Sequence, residues 1–300
     1  MQSVAQQIVA LKKQKNAIIL AHNYTLPEVQ DLADFVGDSL GLSKKAAATD
    51  ADIIVFCGVS FMGETAKILS PGKKVLLPEP EAKCAMAAMC SAEQIRQVRA
   101  KYPDAAVVGY VNTAAETKTE VDYCCTSANA LNVVNAVPND QIIFVPDSNL
   151  GRYVREKSGK DVILWSGFCP VHQCVTLRQV QELRAAHPDA EVVAHPECRL
   201  EVLEMASFVG STEAILNYCI ASDRKEFIVL TEWGMGHRLE KACPGKKFYF
   251  TNQSLCMTMK MISPESVLEC LEKETGEIVL DRDVQEKAYV PVKRMTDILG

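Results

Sequence analysis

Three hundred residues, 48% hydrophobic and 23% charged with no low-complexity tract, describe a globular chain that can bury ample core. A formal net charge of −6 favours neither nucleic acid nor an anionic membrane surface. Apolar runs such as 17–21 and 53–57 fall far short of the roughly 20 residues a membrane span needs, and residues 1–16 alternate like an amphipathic helix rather than a signal peptide, so the expectation is a cytoplasmic protein.

After that helix, Ala17-Ile18-Ile19-Leu20-Ala21-His22-Asn23-Tyr24 reads as a buried strand ending in polar residues. A helical stretch follows Pro27 as far as Phe35, and Val36-Gly37-Asp38-Ser39 opens another helix through Ala48. Residues 52–57 form an apolar strand, Phe61-Met62-Gly63-Glu64-Thr65 leads into a helix, and 74–77 close the unit ahead of Cys84. The order then recurs. A helix over 91–101 precedes the strand of 105–112, Cys125-Thr126-Ser127 opens a helix, 141–145 is a strand, and 162–165 delivers Cys169. A third time, a helix over 176–186 precedes Ala190 to His195-Pro196-Glu197-Cys198, Val209-Gly210-Ser211-Thr212 opens a helix, 226–230 is a strand, and 247–250 delivers Cys256. Ser263-Pro264-Glu265 starts a capped helix, and the last twenty residues are expected to dock on the first unit. Strands alternating with helices, without hairpin signals, predict parallel sheets flanked by helices.

Length alone suggests about two domains, but the spacing overrides it. Cys84, Cys169 and Cys256 lie 85 and 87 residues apart, and His22 to Ser39, Tyr110 to Ser127 and His195 to Thr212 each span 17. The chain therefore reads as α/β, with three αβα modules related by a pseudo-threefold axis around a central cavity. Their expected bounds are 1–86, completed by 258–300, then 87–171 and 172–257.

Ligands of parallel sheets bind beyond the carboxyl ends of the strands. His22, Tyr110 and His195 end first strands and the three cysteines follow last strands, so all six are expected to converge. Ser39, Ser127 and Thr212, with Ser211 beside it, are expected at helix starts, where free amides favour an anion; an ordinary N-cap is the plainer reading of any one. Such a ring suits a substrate with several carboxylates or phosphates. Twelve cysteines in a reducing compartment point away from disulfides; Cys57, Cys219 and Cys270 read as core, and Cys124-Cys125 as a strained, unfavourable pair. Three converging thiols suit a tetrahedral zinc, a [4Fe-4S] cluster with one open iron, or simple core packing, although zinc sites usually draw on CxxC pairs. Gly63, Gly151 and Gly236 are expected to precede helices, with Phe61 and Met62 in a lid.

With these residues assembled, the sequence resembles the quinolinate synthase family over essentially its whole length. The carrying motifs are Ala21-His22-Asn23-Tyr24, the stretch 31–43, Phe61-Met62-Gly63-Glu64-Thr65-Ala66, the stretch 110–118, Cys125-Thr126-Ser127-Ala128-Asn129, His195-Pro196-Glu197-Cys198 and Gly210-Ser211-Thr212-Glu213. The resemblance implies a transferase of NAD biosynthesis that condenses iminoaspartate with dihydroxyacetone phosphate to quinolinate, phosphate and water. It implies a [4Fe-4S] cluster on Cys84, Cys169 and Cys256, whose open iron acts as a Lewis acid in dehydration. It places His22, Ser39, Tyr110, Asn112, Ser127, His195, Glu197 and Thr212 on the substrate, with Val111, Pro196 and Ser211 in the same motifs and His172 on cluster or substrate. Glu197 is the expected general base and acid, its pKa raised toward neutrality by burial. Tyr24, Tyr110 and His195 are expected to move protons, and His22 to bind a carboxylate. The implied partners are small molecules, with functional coupling to the enzyme that supplies iminoaspartate. Some members carry CxxCxxC at the last ligand; Leu255-Cys256-Met257-Thr258-Met259 offers one thiol, so no disulfide switch is expected there. Rival readings are a diphthamide-type enzyme, an isoprenoid diphosphate reductase, an iron-sensing protein and a zinc lyase.

Overall fold

Strands here are short and almost continuously apolar, as chains buried on both faces of a sheet must be. In the computed structural model, which describes residues 3–298, Ile53–Cys57 and Ala106–Tyr110 are buried at every position. Met1, Gln2, Leu299 and Gly300 lie outside the described residues. Among the described residues, the first sheet comprises β1 (Ala17–His22), β2 (Phe35–Gly37), β3 (Ile53–Cys57) and β4 (Lys74–Leu76). The second comprises β5 (Ala106–Tyr110), β6 (Tyr123–Cys125), β7 (Gln141–Val145) and β8 (Asp161–Leu164). The third comprises β9 (Glu191–Ala194), β10 (Phe208–Val209), β11 (Glu226–Leu230) and β12 (Lys247–Tyr249). Their orders are β2-β1-β3-β4, β6-β5-β7-β8 and β10-β9-β11-β12, with every pairing parallel. One arrangement is thus used three times, and the fold is α/β as the spacing predicts.

The repeat reaches individual caps. The helices before β1, β5 and β9 open on Ser3, Ser91 and Thr176, each in a capping box with Gln6, Gln94 or Gln179. The edge strands β2, β6 and β10 were not expected: Phe35 was read into a helix and Cys125 as a helix opening. With two or three residues each, they are too short to show a period. The aspartate before an edge strand helps hold it in place, since Asp34 accepts from Ile19 N–H and Asp122 from Val107 N–H, both at 2.8 Å.

The glycine expectation needs correction. Gly63, Gly151 and Gly236 lie inside the helices Ser60–Leu69, Ser148–Ser158 and Met235–Ala242. A Cβ at these positions would meet Leu77 at 2.8 Å, Leu164 at 2.9 Å and Phe250 at 3.2 Å, so each glycine lets its helix close on the fourth strand of its sheet. Phe61 and Met62 are buried in the cavity wall instead of forming an exposed flap.

Helix Pro264–Lys273 packs Val267, Cys270 and Leu271 around Ile8 of the N-terminal helix. Helix Arg282–Asp297, expected on the first unit, packs there and on the second sheet as well. Ala288, Val292 and Met295 enter the core they share, Arg294 lies over the Tyr123 ring at 4.6 Å, and Asn129 Nδ2 donates to Met295 O and Ile298 O at 2.8 Å each. No helix among the described residues is long and apolar enough to cross a membrane.

Candidate active site

Extended chain alternates its side chains, and that alternation builds the cavity. The first strand of each sheet ends in the pairs His22 and Tyr24, Tyr110 and Asn112, His195 and Glu197, and all six side chains line one cavity of about 290 Å³. The residues between them turn away. Asn23 donates to Thr212 Oγ1 at 2.8 Å, Val111 is packed in the core, and Pro196 lines a smaller neighbouring cavity of about 230 Å³. Val111 and Pro196 are therefore not brought to the central cavity, and the cause is strand parity.

Ser39, Ser127 and Thr212 line the cavity from the second turn of the repeat. Ser39 and Thr212 are first residues of helices whose caps are Asp38, accepting from Gly41 N–H at 2.8 Å, and Ser211, accepting from Ala214 N–H. Ser211 thus lies outside the central cavity. Ser127 does not start a helix, because Asn129 accepts from Thr126 N–H and holds a turn before helix Ala130–Ala136 begins. Asp38, which lines the cavity, went unnoticed; as an N-cap one residue before Ser39 it was legible.

Cys84, Cys169 and Cys256 line the same cavity, and no other cysteine does among the described residues. All twelve cysteines are free thiols. Burial pushes the Cys84 thiol up to about 12 and raises Cys169 and Cys57 as well; Cys57, fully buried, is core as expected. Two buried acids aim the cysteine loops. Asp147 accepts from Cys169 N–H at 3.0 Å and Glu232 from Cys256 N–H at 3.0 Å. Each follows the third strand of its sheet by two residues, at positions 85 apart, so the repeat carried a signal for both that the sequence reading missed.

Glu197 is the hub. Its Oε1 accepts from Tyr110 O–H, and its Oε2 lies 2.8 Å from His172 Nδ1. His172 Nε2 lies 3.0 Å from Thr231 Oγ1, which is 2.7 Å from Tyr24 Oη. A single chain of hydrogen bonds thus joins both cavity tyrosines to one carboxylate. His172 does not itself line the cavity; it stands behind the wall, stacked on His195 with ring centroids 4.7 Å apart.

The expected rise in the Glu197 pKa is overturned. Burial pushes it up, but the imidazoles of His172 and His195 beside it and the hydrogen bonds from His172 and Tyr110 outweigh burial and hold it below the ordinary carboxylate range. Glu197 is an ionised base. His22 and His195 are both pushed down to about 3, chiefly by burial, so both are neutral. Backbone N–H groups of Tyr24 and Glu197 donate to their Nδ1 atoms, at 3.2 and 3.4 Å, which leaves the proton on Nε2. His195 Nε2 lies 3.1 Å from Ser127 Oγ. Burial and the Glu197 charge push Tyr24 and Tyr110 well above 10.

The family model described as Quinolinate synthetase A protein matches residues 6–297. The chain belongs to the quinolinate synthetase A family. A protein named quinolinate synthase from Aquifex aeolicus is 49% identical over 98% of this chain and 93% of its own, and one from Methanoregula boonei is 50% identical over 97% and 96%. A solved reductase, the E-1-hydroxy-2-methyl-but-2-enyl-4-diphosphate reductase from Plasmodium falciparum, aligns with 90% of this chain and 93% of its own at 14% identity. Its TM-score of 0.32 is too low to bear on the fold. In this cavity the imidazoles of His22 and His195, the hydroxyls of Ser39, Ser127 and Thr212, the phenols of Tyr24 and Tyr110 and the Glu197 carboxylate stand with the three thiols.

Proposed function

We propose that this chain is a quinolinate synthase, a transferase that condenses iminoaspartate with dihydroxyacetone phosphate to quinolinate, phosphate and water in NAD biosynthesis in the cytoplasm. The observation that carries the reading is the convergence on one cavity of three thiols from three sheets, opposite a carboxylate wired to both cavity tyrosines. The chain's modules are 1–86 with 258–300, 87–171 and 172–257, each donating one thiol.

The donor set fits a [4Fe-4S] cluster: Cys84, Cys169 and Cys256 supply three thiolates and leave one iron open. When bound, the cluster supplies a Lewis acid for a substrate hydroxyl or carboxylate during dehydration. The chain itself does the rest. The Nε2–H groups of His22 and His195 and the hydroxyls of Ser39, Ser127 and Thr212 bind carboxylate and phosphate oxygens. Asn112 Oδ1, buried with no hydrogen-bond partner, accepts from a substrate N–H or O–H. Both tyrosines are protonated and face the cavity, so each gives its phenol proton to a leaving oxygen. Glu197 takes a proton from the substrate and refills the phenolate that results, directly at Tyr110 or by a relay through His172 and Thr231 at Tyr24. The partners are the two small-molecule substrates and, functionally, the enzyme that supplies iminoaspartate.

Anaerobic purification, followed by iron and sulfide analysis and a quinolinate assay from the two substrates, tests this. About four irons and four sulfides per chain, with quinolinate formed, is the expected result. A cluster without quinolinate overturns the substrate assignment, and zinc or no metal overturns the cofactor.

A further inference from the structure

We infer that the cluster-free chain holds a second, mutually exclusive metal site, in which Cys169 Sγ, His172 Nδ1 and Glu197 Oε2 bind one divalent cation of zinc type. These three atoms lie within 4.8 Å of one another, with His172 Nδ1 2.8 Å from the carboxylate oxygen and 3.2 Å from the sulfur. Tetrahedral zinc bonds of about 2.0–2.3 Å set neighbouring donors roughly 3.3–3.8 Å apart, so a cation enters by opening the two short contacts to His172 by about half an ångström and drawing the sulfur and the carboxylate, at most 4.8 Å apart, together around it. Thiolate, imidazole and carboxylate are the mixed donors that a borderline-soft cation takes, and three protein ligands leave the fourth position to a water on the cavity side.

A metal on this site takes His172 Nδ1, between the sulfur and the carboxylate. The imidazole proton then stands on Nε2, where Thr231 Oγ1 at 3.0 Å accepts it, and the Thr231 hydroxyl donates in turn to Tyr24 Oη. That outer partner fixes the ring for ligation as second-shell groups do in built zinc sites. The site shares Cys169 with the proposed cluster and ties up Glu197, so one metal excludes the other. Only this exclusion rests on the cluster reading; the site itself rests on the three donors.

The test is a zinc titration of the full-length chain stripped of iron, in competition with a chromophoric chelator, with cobalt as the spectroscopic probe. One cation per chain is expected, with thiolate-to-cobalt charge transfer in the near ultraviolet. His172→Asn and Glu197→Gln weaken binding more than about tenfold, and Thr231→Val, which keeps all three ligands, weakens it about tenfold. Cys84→Ser and Cys256→Ser leave it unchanged. Circular dichroism melts on each variant separate ligand loss from misfolding. Zinc loaded beforehand blocks iron and sulfide uptake until a chelator removes it. The inference is overturned by zinc loss in Cys84→Ser and Cys256→Ser equal to that in His172→Asn, by full affinity in His172→Asn and Thr231→Val, or by cluster uptake with the zinc retained. Iron analysis of the anaerobic protein decides the cluster separately.

Discussion

Glu197 shows how neighbours can reverse what burial alone dictates. A carboxylate removed from water should protonate more readily, yet here two imidazoles and a phenol surround it and the ionised form wins. The electrostatics make it a base first and an acid only after it has collected a proton. Glu197→Gln keeps the shape and removes that basicity, so kcat falls by roughly 10²–10⁴ while iron and sulfide contents stay at the wild-type level. Steady-state kinetics beside metal analysis check this, and a variant of full activity would remove Glu197 from the proton path. The motif around His195 marked Glu197 in advance. Its partners His172 and Thr231 come from different segments, and neither showed in the sequence that it would stand behind the cavity wall.

Among elements, close approach of backbone to backbone decides which glycines matter. Gly276 has φ +73°, and a Cβ there would lie 2.1 Å from Leu77 O, next to the antiparallel bridge between Leu76 and Glu277 that joins the C-terminal segment to β4. Gly276→Ala is expected to cost about 2 kcal/mol or more, from left-handed strain plus the clash. Gly72 meets nothing within 4 Å, so Gly72→Ala is neutral or slightly stabilising. Urea midpoints of the two variants make the comparison, and equal midpoints would refute it. The repeat was legible at this scale because the three cysteines and the strand-end motifs recur at near-constant spacing. The edge strands were not, because two or three residues pair only once a neighbouring strand is present.

At the scale of the molecule, the C-terminal helix clamps the first two sheets together. Asn129→Ala removes two hydrogen bonds to its last carbonyls and should cost about 2 kcal/mol. The chain should keep its iron, since Asn129 does not line the cavity. A denaturant midpoint unchanged from wild type would show that the helix is held by its apolar face alone. Buried neutral histidines give the whole fold an acid limit. His22 and His195 have folded pKa values near 3 against an ordinary 6.5, so the unfolded chain binds protons first and stability falls as pH drops from 6.5 toward 3. Urea unfolding of the cluster-free protein across that range should show a slope that is shallower in a His22→Asn, His195→Asn double variant; identical slopes would mean the histidines are accessible to water.

The sequence by itself determined the three-module architecture, the three thiols and the two alternating residues at each first strand's end. Those features depend on local period and on spacing, both carried along the chain. The same local period turns Val111 and Pro196 away from the cavity, whereas tertiary structure alone brought the strand ends of the three units together and placed His172 in the chain from Tyr24 to Glu197. It also decided the protonation of Glu197 and the histidines, because burial and the charge of a neighbour exist only once distant segments are packed together.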